Sequence, residues 1–138
     1  MRNRILHYSS LNTDLASLLL RLIFGGMFIY YGYMKIDMFN QYASMFPDYL
    51  GLGHKPTYML VTFFEFMGGI LLVLGLQTRM AIVPIFIIMV VAYFVAHKND
   101  TFIVKQIVFV YMLLSIVVFI LGSGKFSMDR LLFRKKLN

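Results

Sequence analysis

Four apolar runs, separated by short polar connections, limit what this chain can fold into more than any other feature. They lie at about residues 15–34, 58–76, 80–96 and 102–121. Each holds ~17–20 residues, enough as an α-helix to cross a hydrocarbon core ~30 Å thick. A single run of this kind fits inside a soluble protein, but four in 138 residues leave too little polar chain to cover them. Inside lipid a segment must satisfy its own backbone hydrogen bonds, so helices are expected. The expectation is an all-α integral membrane four-helix bundle, built as one domain over 1–138. It has an interfacial loop at 36–57 and a basic cytoplasmic tail at 123–138. Composition agrees: charged residues make up 14%, where a soluble domain carries about a quarter.

The net charge of +7 would suggest nucleic acid on a soluble protein. Here the basic residues cluster at segment ends, as retention beside an anionic leaflet requires, and no nucleic-acid partner is expected. Two spans between each and the next put the N-terminus, the Gln77–Arg79 turn and the C-terminus on one side. That side holds Arg2, Arg4, Arg79, Lys125, Arg130, Arg134, Lys135 and Lys136; the other holds Lys35, Lys55, Lys98 and Lys105. The positive-inside rule therefore places both termini in the cytoplasm, N-in/C-in. The basic start is followed by an apolar run long enough to span, without an A-x-A site, and is expected to be an uncleaved first helix.

Several chemistries are excluded early. The chain has no cysteine, which removes thiol relays, iron–sulfur clusters and Cys-bound zinc. His7, His54 and His97 fall near three different loop ends, so no metal set or haem pair is expected. No nucleophile–base pair is visible, and the chain is not expected to be an enzyme on its own. Met34 and Met38 share a helical face, but eleven methionines are read as flexible apolar filling rather than copper ligands. Gly122-Ser123-Gly124-Lys125 has the wrong spacing for a phosphate loop.

Polar groups inside the spans carry more information, because they are costly in lipid and usually face the bundle interior. On the first helix Asp14, Ser17, Arg21, Gly25, Phe28, Gly32 and Lys35 share one stripe. On the second, Tyr58, Thr62, Glu65, Gly68, Gly69 and Leu72 share another. Gly25, Gly32, Gly68 and Gly69 are the expected helix-packing glycines, since small residues let backbones approach. Measured from the cytoplasmic ends, Arg21 lies ~9 Å deep and Glu65 ~16 Å deep, so an Arg21–Glu65 ion pair, direct or through water, is expected. Such a pair locks two helices in register whether or not it handles protons.

Lys35, Tyr93, His97 and Lys105 form a second polar set in the outer half. Most of the tyrosines suit an interfacial aromatic belt. The sharper expectation is an outer-leaflet pocket under the Tyr42–His54 loop, taking a quinone or a lipid headgroup. In the tail, Ser127 is placed to cap a short helix whose Leu131, Leu132 and Phe133 enter the headgroup region. Pro84 falls in the first turns of the third helix, where proline is tolerated.

Three stretches together resemble the DoxX family of small bacterial membrane proteins. They are LLLRLIFGGMFIYYGYMKI (Arg21, Gly32, Lys35), EFMGGILLVLGLQTRMA (Glu65, Gly68, Gly69, Gly75, Thr78, Arg79) and GSGKFSMDRLL (Gly124, Ser127, Asp129). The last is similar to the family's G-P-G-R-Y-S-L-D ending, with Ser123, Lys125, Phe126 and Met128 as departures. The resemblance implies a four-helix bundle in the bacterial cytoplasmic (inner) membrane. It also implies association with quinone-linked oxidoreductases of the thiosulfate–quinone type, or with membrane complexes that protect against oxidative stress. A fold does not fix an activity. With no redox centre of its own, the chain is expected to be a non-catalytic membrane subunit or scaffold. No cofactor is built in; a quinone or lipid is the expected ligand. The expected partners are membrane lipid, a redox or envelope protein, and a second copy of the chain. The alternatives are a small-molecule or proton-coupled transporter, and a module that binds a lipid or an exported protein.

Overall fold

In a computed structural model, which describes residues 12–134, the chain is all-helical. Four helices are long and apolar enough to cross a membrane: Thr13–Asp37, His54–Leu74, Thr78–Ala96 and Phe102–Leu121. The first is α1. A short helix, α2 (Phe39–Tyr42), precedes the second span, α3 (His54–Leu74). The third span is α4 (Thr78–Val91), continued by one π-helical stretch, Ala92–Ala96. The fourth is α5 (Phe102–Leu121), and α6 (Met128–Arg134) follows it. Arg2, Arg4, Lys135 and Lys136, which enter the orientation count, and His7 lie outside the described residues.

Local chemistry explains the ends, and explains why the first two spans begin earlier than hydropathy alone marks. Asn12 caps α1 by accepting from the Leu15 amide at 3.1 Å. α1 runs on to Asp37, so Lys35 belongs to the helix itself. α3 starts at His54 with Pro56 in its first turn, where a missing N–H costs nothing. Its end is Gly75, at φ 69°, with Leu76 N–H returning to Leu71 O at 2.9 Å. Gln77 also takes a left-handed backbone, at φ 46°. Its amide donates to Asp129 Oδ1 at 2.9 Å, which holds a conformation unusual for a non-glycine residue. Pro84 sits deeper in α4 than its first turn and withholds a donor from the carbonyl one turn back. As α4 closes, His97 N–H bonds Ala92 O, five residues back, at 2.9 Å.

Packing runs α1 on α3, α3 on α4, α4 on α5 and α5 on α1, a closed ring. The α1–α3 seam is the tightest because glycines meet there. A Cβ on Gly25 would stand 2.8 Å from Gly69 O, and one on Gly32 would stand 2.6 Å from Phe66 Cβ. Gly68 faces Ile85 and the Ala81 carbonyl on α4. The buried centre is Phe24 and Phe28 of α1, Leu72 of α3, Ala81, Ile82, Ile85 and Met89 of α4, and Val118 of α5. Tyr111 on α5 meets both phenylalanine rings edge-on, with centroids at 5.8 and 5.4 Å. α5 keeps most of its apolar surface outward, as lipid contact requires and water would not permit.

Candidate functional site: a cavity at one end of the bundle and a polar clasp at the other

The two intramembrane charges do not pair with each other. Glu65 Oε2 lies 2.5 Å from Lys35 Nζ, and the side chains are 4% and 29% exposed respectively. Arg21, 1% exposed, turns the other way. Its Nη1 donates to Leu72 O at 3.3 Å and its Nη2 to Phe126 O at 2.5 Å. The expected Arg21–Glu65 pair is therefore corrected to Lys35–Glu65, and the helix register gives the reason. α1 and α3 are antiparallel, with Gly25 set against Gly69 and Arg21 against Gly75. From Glu65 to Gly75 is about 15 Å along the axis, beyond an arginine's reach. Lys35 lies within about one turn of Glu65's level.

Lys35 and Glu65 stand on the wall of a cavity of about 370 Å³ in the half of the bundle that holds the α2–α3 connection. Its other walls are almost wholly apolar: Leu60, Val61 and Phe64 from α3, Pro84, Ile87, Ile88 and Val91 from α4, and Val108 from α5. Phe46, Tyr49 and Leu50 of the α2–α3 connection contribute from above, and Ala92, Ala96 and His97 from the π stretch. Of the four residues expected in an outer pocket, Lys35 and His97 line this cavity. Lys105 and Tyr93 pair elsewhere, with the ammonium over the ring at 4.7 Å from its centroid. His97 Nδ1 lies 2.6 Å from Asp100 Oδ2. A carboxylate only accepts, so that nitrogen carries a proton.

The roof of the cavity is built by residues that periodicity does not mark. Asp48 accepts from Thr57 Oγ1 at 2.8 Å, from Gly53 N–H at 2.8 Å and from Leu52 N–H at 3.1 Å. These bonds, with Thr57 first, hold its carboxyl below the usual carboxylate range. His54 Nδ1 donates to Phe46 O at 2.6 Å. Tyr58 O–H donates to Lys35 O at 2.9 Å, and the rings of Phe39 and Phe46 stand edge-on to it. The sequence put a pocket under the Tyr42–His54 loop but did not single out Asp48 or Thr57, whose sign is an Asp followed five residues later by Gly and then by Thr at the start of a helix.

At the opposite end a second polar cluster ties the last segment to the rest. Ser17 Oγ donates to Gly122 O at 2.8 Å, and Asp14 receives Lys125 N–H at 2.9 Å and Lys125 Nζ at 3.3 Å. Asp129 accepts from Gln77 N–H and from Ser123 Oγ (2.7 Å), while its own N–H donates to Gly75 O at 3.2 Å. Ser127 Oγ accepts from Arg130 N–H at 3.4 Å, capping α6. Arg21 is the centre of this clasp, where its planar fork serves two carbonyls at once. The chemistry of the clasp is that of a fastening: its polar groups bond backbone and side chains of the same chain.

The four spans and the cavity near one end define a small integral membrane protein with an amphipathic recess. The DoxX family model matches residues 16–98, more than half of the chain. The chain belongs to the DoxX family. The matched stretch contains Arg21, Lys35, Glu65 and His97 and ends before the clasp's terminal segment. No curated protein and no solved structure matches it.

Proposed function

We propose that this protein is a non-catalytic membrane subunit that holds a lipid-soluble molecule, of quinone or lipid type, in its outer cavity on behalf of a redox or envelope partner. One observation carries the proposal: a buried Lys35–Glu65 ion pair on the wall of an otherwise apolar recess of about 370 Å³. Ligand sites have this composition, with an apolar lining and a few convergent polar groups that fix orientation. Family membership supports the same reading by its resemblance to quinone-linked systems. The apolar plug of Phe24, Phe28, Leu72 and Ile85 on the cytoplasmic side of Glu65 favours holding a molecule over conducting one across the membrane.

In this reading the protein sits in the bacterial inner membrane with both termini in the cytoplasm, and the cavity lies in the outer leaflet. Its residues bind and orient, and electron transfer belongs to the partner. Gentle affinity purification from native membranes, with protein identification and solvent extraction of the same sample, tests this. A co-purifying oxidoreductase together with a quinone is the expected outcome. Purification alone, with bulk phospholipid only, contradicts it.

A further inference from the structure

We propose that the cavity is filled sideways from the bilayer, between the outer halves of α3 and α4, by a molecule with an uncharged hydrogen-bonding head on a hydrocarbon chain. This rests on the reading of the cavity as a ligand site and adds to it a route and a head-group chemistry.

The route follows from how α3 and α4 are placed. Near the turn that joins them they are in close contact, where Gly68 meets Ile85 and the Ala81 carbonyl. Toward their other ends both helices line the cavity, with Leu60, Val61 and Phe64 on α3 and Pro84, Ile87 and Ile88 on α4. Leu60 on α3 and Ile87 on α4 line opposite walls of the cavity and are 39% and 55% exposed. That rim lies within the spans and faces lipid. On the water side the roof lies over the cavity, with Phe46 and Tyr49 in its lining and Asp48 tied to the Leu52 and Gly53 amides and to the Thr57 hydroxyl. The π-helical stretch adds a residue to the α4 wall at this level, a feature that recurs at functional sites. A chain leaving the cavity therefore runs into hydrocarbon.

The head-group chemistry follows from the ion pair. Lys35 and Glu65 already neutralise each other at 2.5 Å. An anionic head must sit beside the buried carboxylate or displace it, and a cationic head meets the same obstacle at the ammonium. An uncharged head meets neither. An ammonium has three donors and a carboxylate two acceptor oxygens, so the pair retains capacity to donate to a carbonyl or ether oxygen and to accept from a hydroxyl. The volume of about 370 Å³ is near the lower end for ligand pockets. It suits a head and the first part of a chain, with the remainder in the bilayer.

The chain contains no tryptophan and no cysteine, which makes the test direct. Phe64→Trp places a single tryptophan, excited selectively beyond the tyrosine band, on the cavity wall, and the protein is reconstituted in phosphatidylcholine nanodiscs. Hexadecanol, hexadecyl sulfate and hexadecyltrimethylammonium then offer one chain with three heads. The expected result is a saturable emission change with hexadecanol at a mole fraction at least about tenfold lower than with either charged head, reflecting the cost of a second buried charge. Adding Glu65→Gln frees the Lys35 charge and is expected to narrow the gap between hexadecanol and the sulfate. Bridging Leu60→Cys and Ile87→Cys with a bifunctional maleimide is expected to abolish the response while helicity is unchanged. Equal responses to the three heads, a preference for a charged head, or an undiminished response after bridging would overturn the inference and leave a ligand site standing. No response to any probe, a short-chain quinone included, would overturn the inference and the site together.

Discussion

Lys35 and Glu65 are individually unwelcome in a bilayer and tolerable only together. Replacing one leaves the other as an uncompensated charge at depth; replacing both removes the problem. Lys35→Met and Glu65→Leu are each expected to destabilise by ~2–3 kcal/mol, with the double variant within ~1 kcal/mol of the parent. Reversible unfolding in a defined detergent, run as a double-mutant cycle, checks this, and additive losses would contradict the pairing. Asp48 carries a pH prediction. Its carboxyl is held below its ordinary value by Thr57 and the backbone amides, so its contribution to the roof is complete above ~pH 4. That contribution is lost only as pH falls through the depressed value, because a group ionising more readily in the folded state favours folding while ionised. Hydrogen-exchange protection over residues 44–53, relative to the intrinsic rate at each pH, should be flat from neutral to mildly acidic pH and fall below it. In Asp48→Asn, exchange there should be faster already at neutral pH.

Elements were easier to read in the sequence than pairings, for a physical reason. Hydropathy over ~20 residues is set by the bilayer, so the span at 102–121 coincides with α5 and the others differ only at their ends. Those ends are set by Asn12, Pro56, Gly75 and Gln77, whose effects are local and absent from a hydropathy sum. Helical spacing put Arg21 and Glu65 on inward faces, where both are buried. It carried no information on the sliding register of α1 against α3, which the glycine contacts fix. It also gave no sign that Phe126, beyond the last span, would return a carbonyl to Arg21. The seam gives a prediction at this scale. Gly25→Leu and Gly69→Leu each push a side chain into facing backbone and should disrupt folding, whereas a Cβ on Gly26 meets nothing within 4 Å. Gly26→Ala should be neutral or stabilising by up to ~1 kcal/mol. Thermal unfolding of the three variants checks the contrast, and a Gly26→Ala loss equal to Gly69→Leu would contradict the packing.

Across the whole molecule the two polar clusters divide the labour. The clasp fastens α1, the α3–α4 turn, the end of α5 and α6 to one another, and it leaves the opposite ends of α3 and α4 to stand around a cavity. The orientation proposed from the asymmetry of loop arginines puts the clasp inside the cell and the cavity outside. In the cysteine-free chain, Thr101→Cys should react with an impermeant maleimide added to intact cells and Arg130→Cys should not; the reverse pattern would invert the topology. The central claim, that the outer cavity holds a lipid-soluble molecule through Lys35 and Glu65, is tested most directly by native mass spectrometry of gently extracted protein beside its Lys35→Met/Glu65→Leu double variant. The account predicts one defined small-molecule adduct on the parent and its loss from a double variant that is still folded. A bare parent, or the same heterogeneous phospholipid adducts on both, would contradict it.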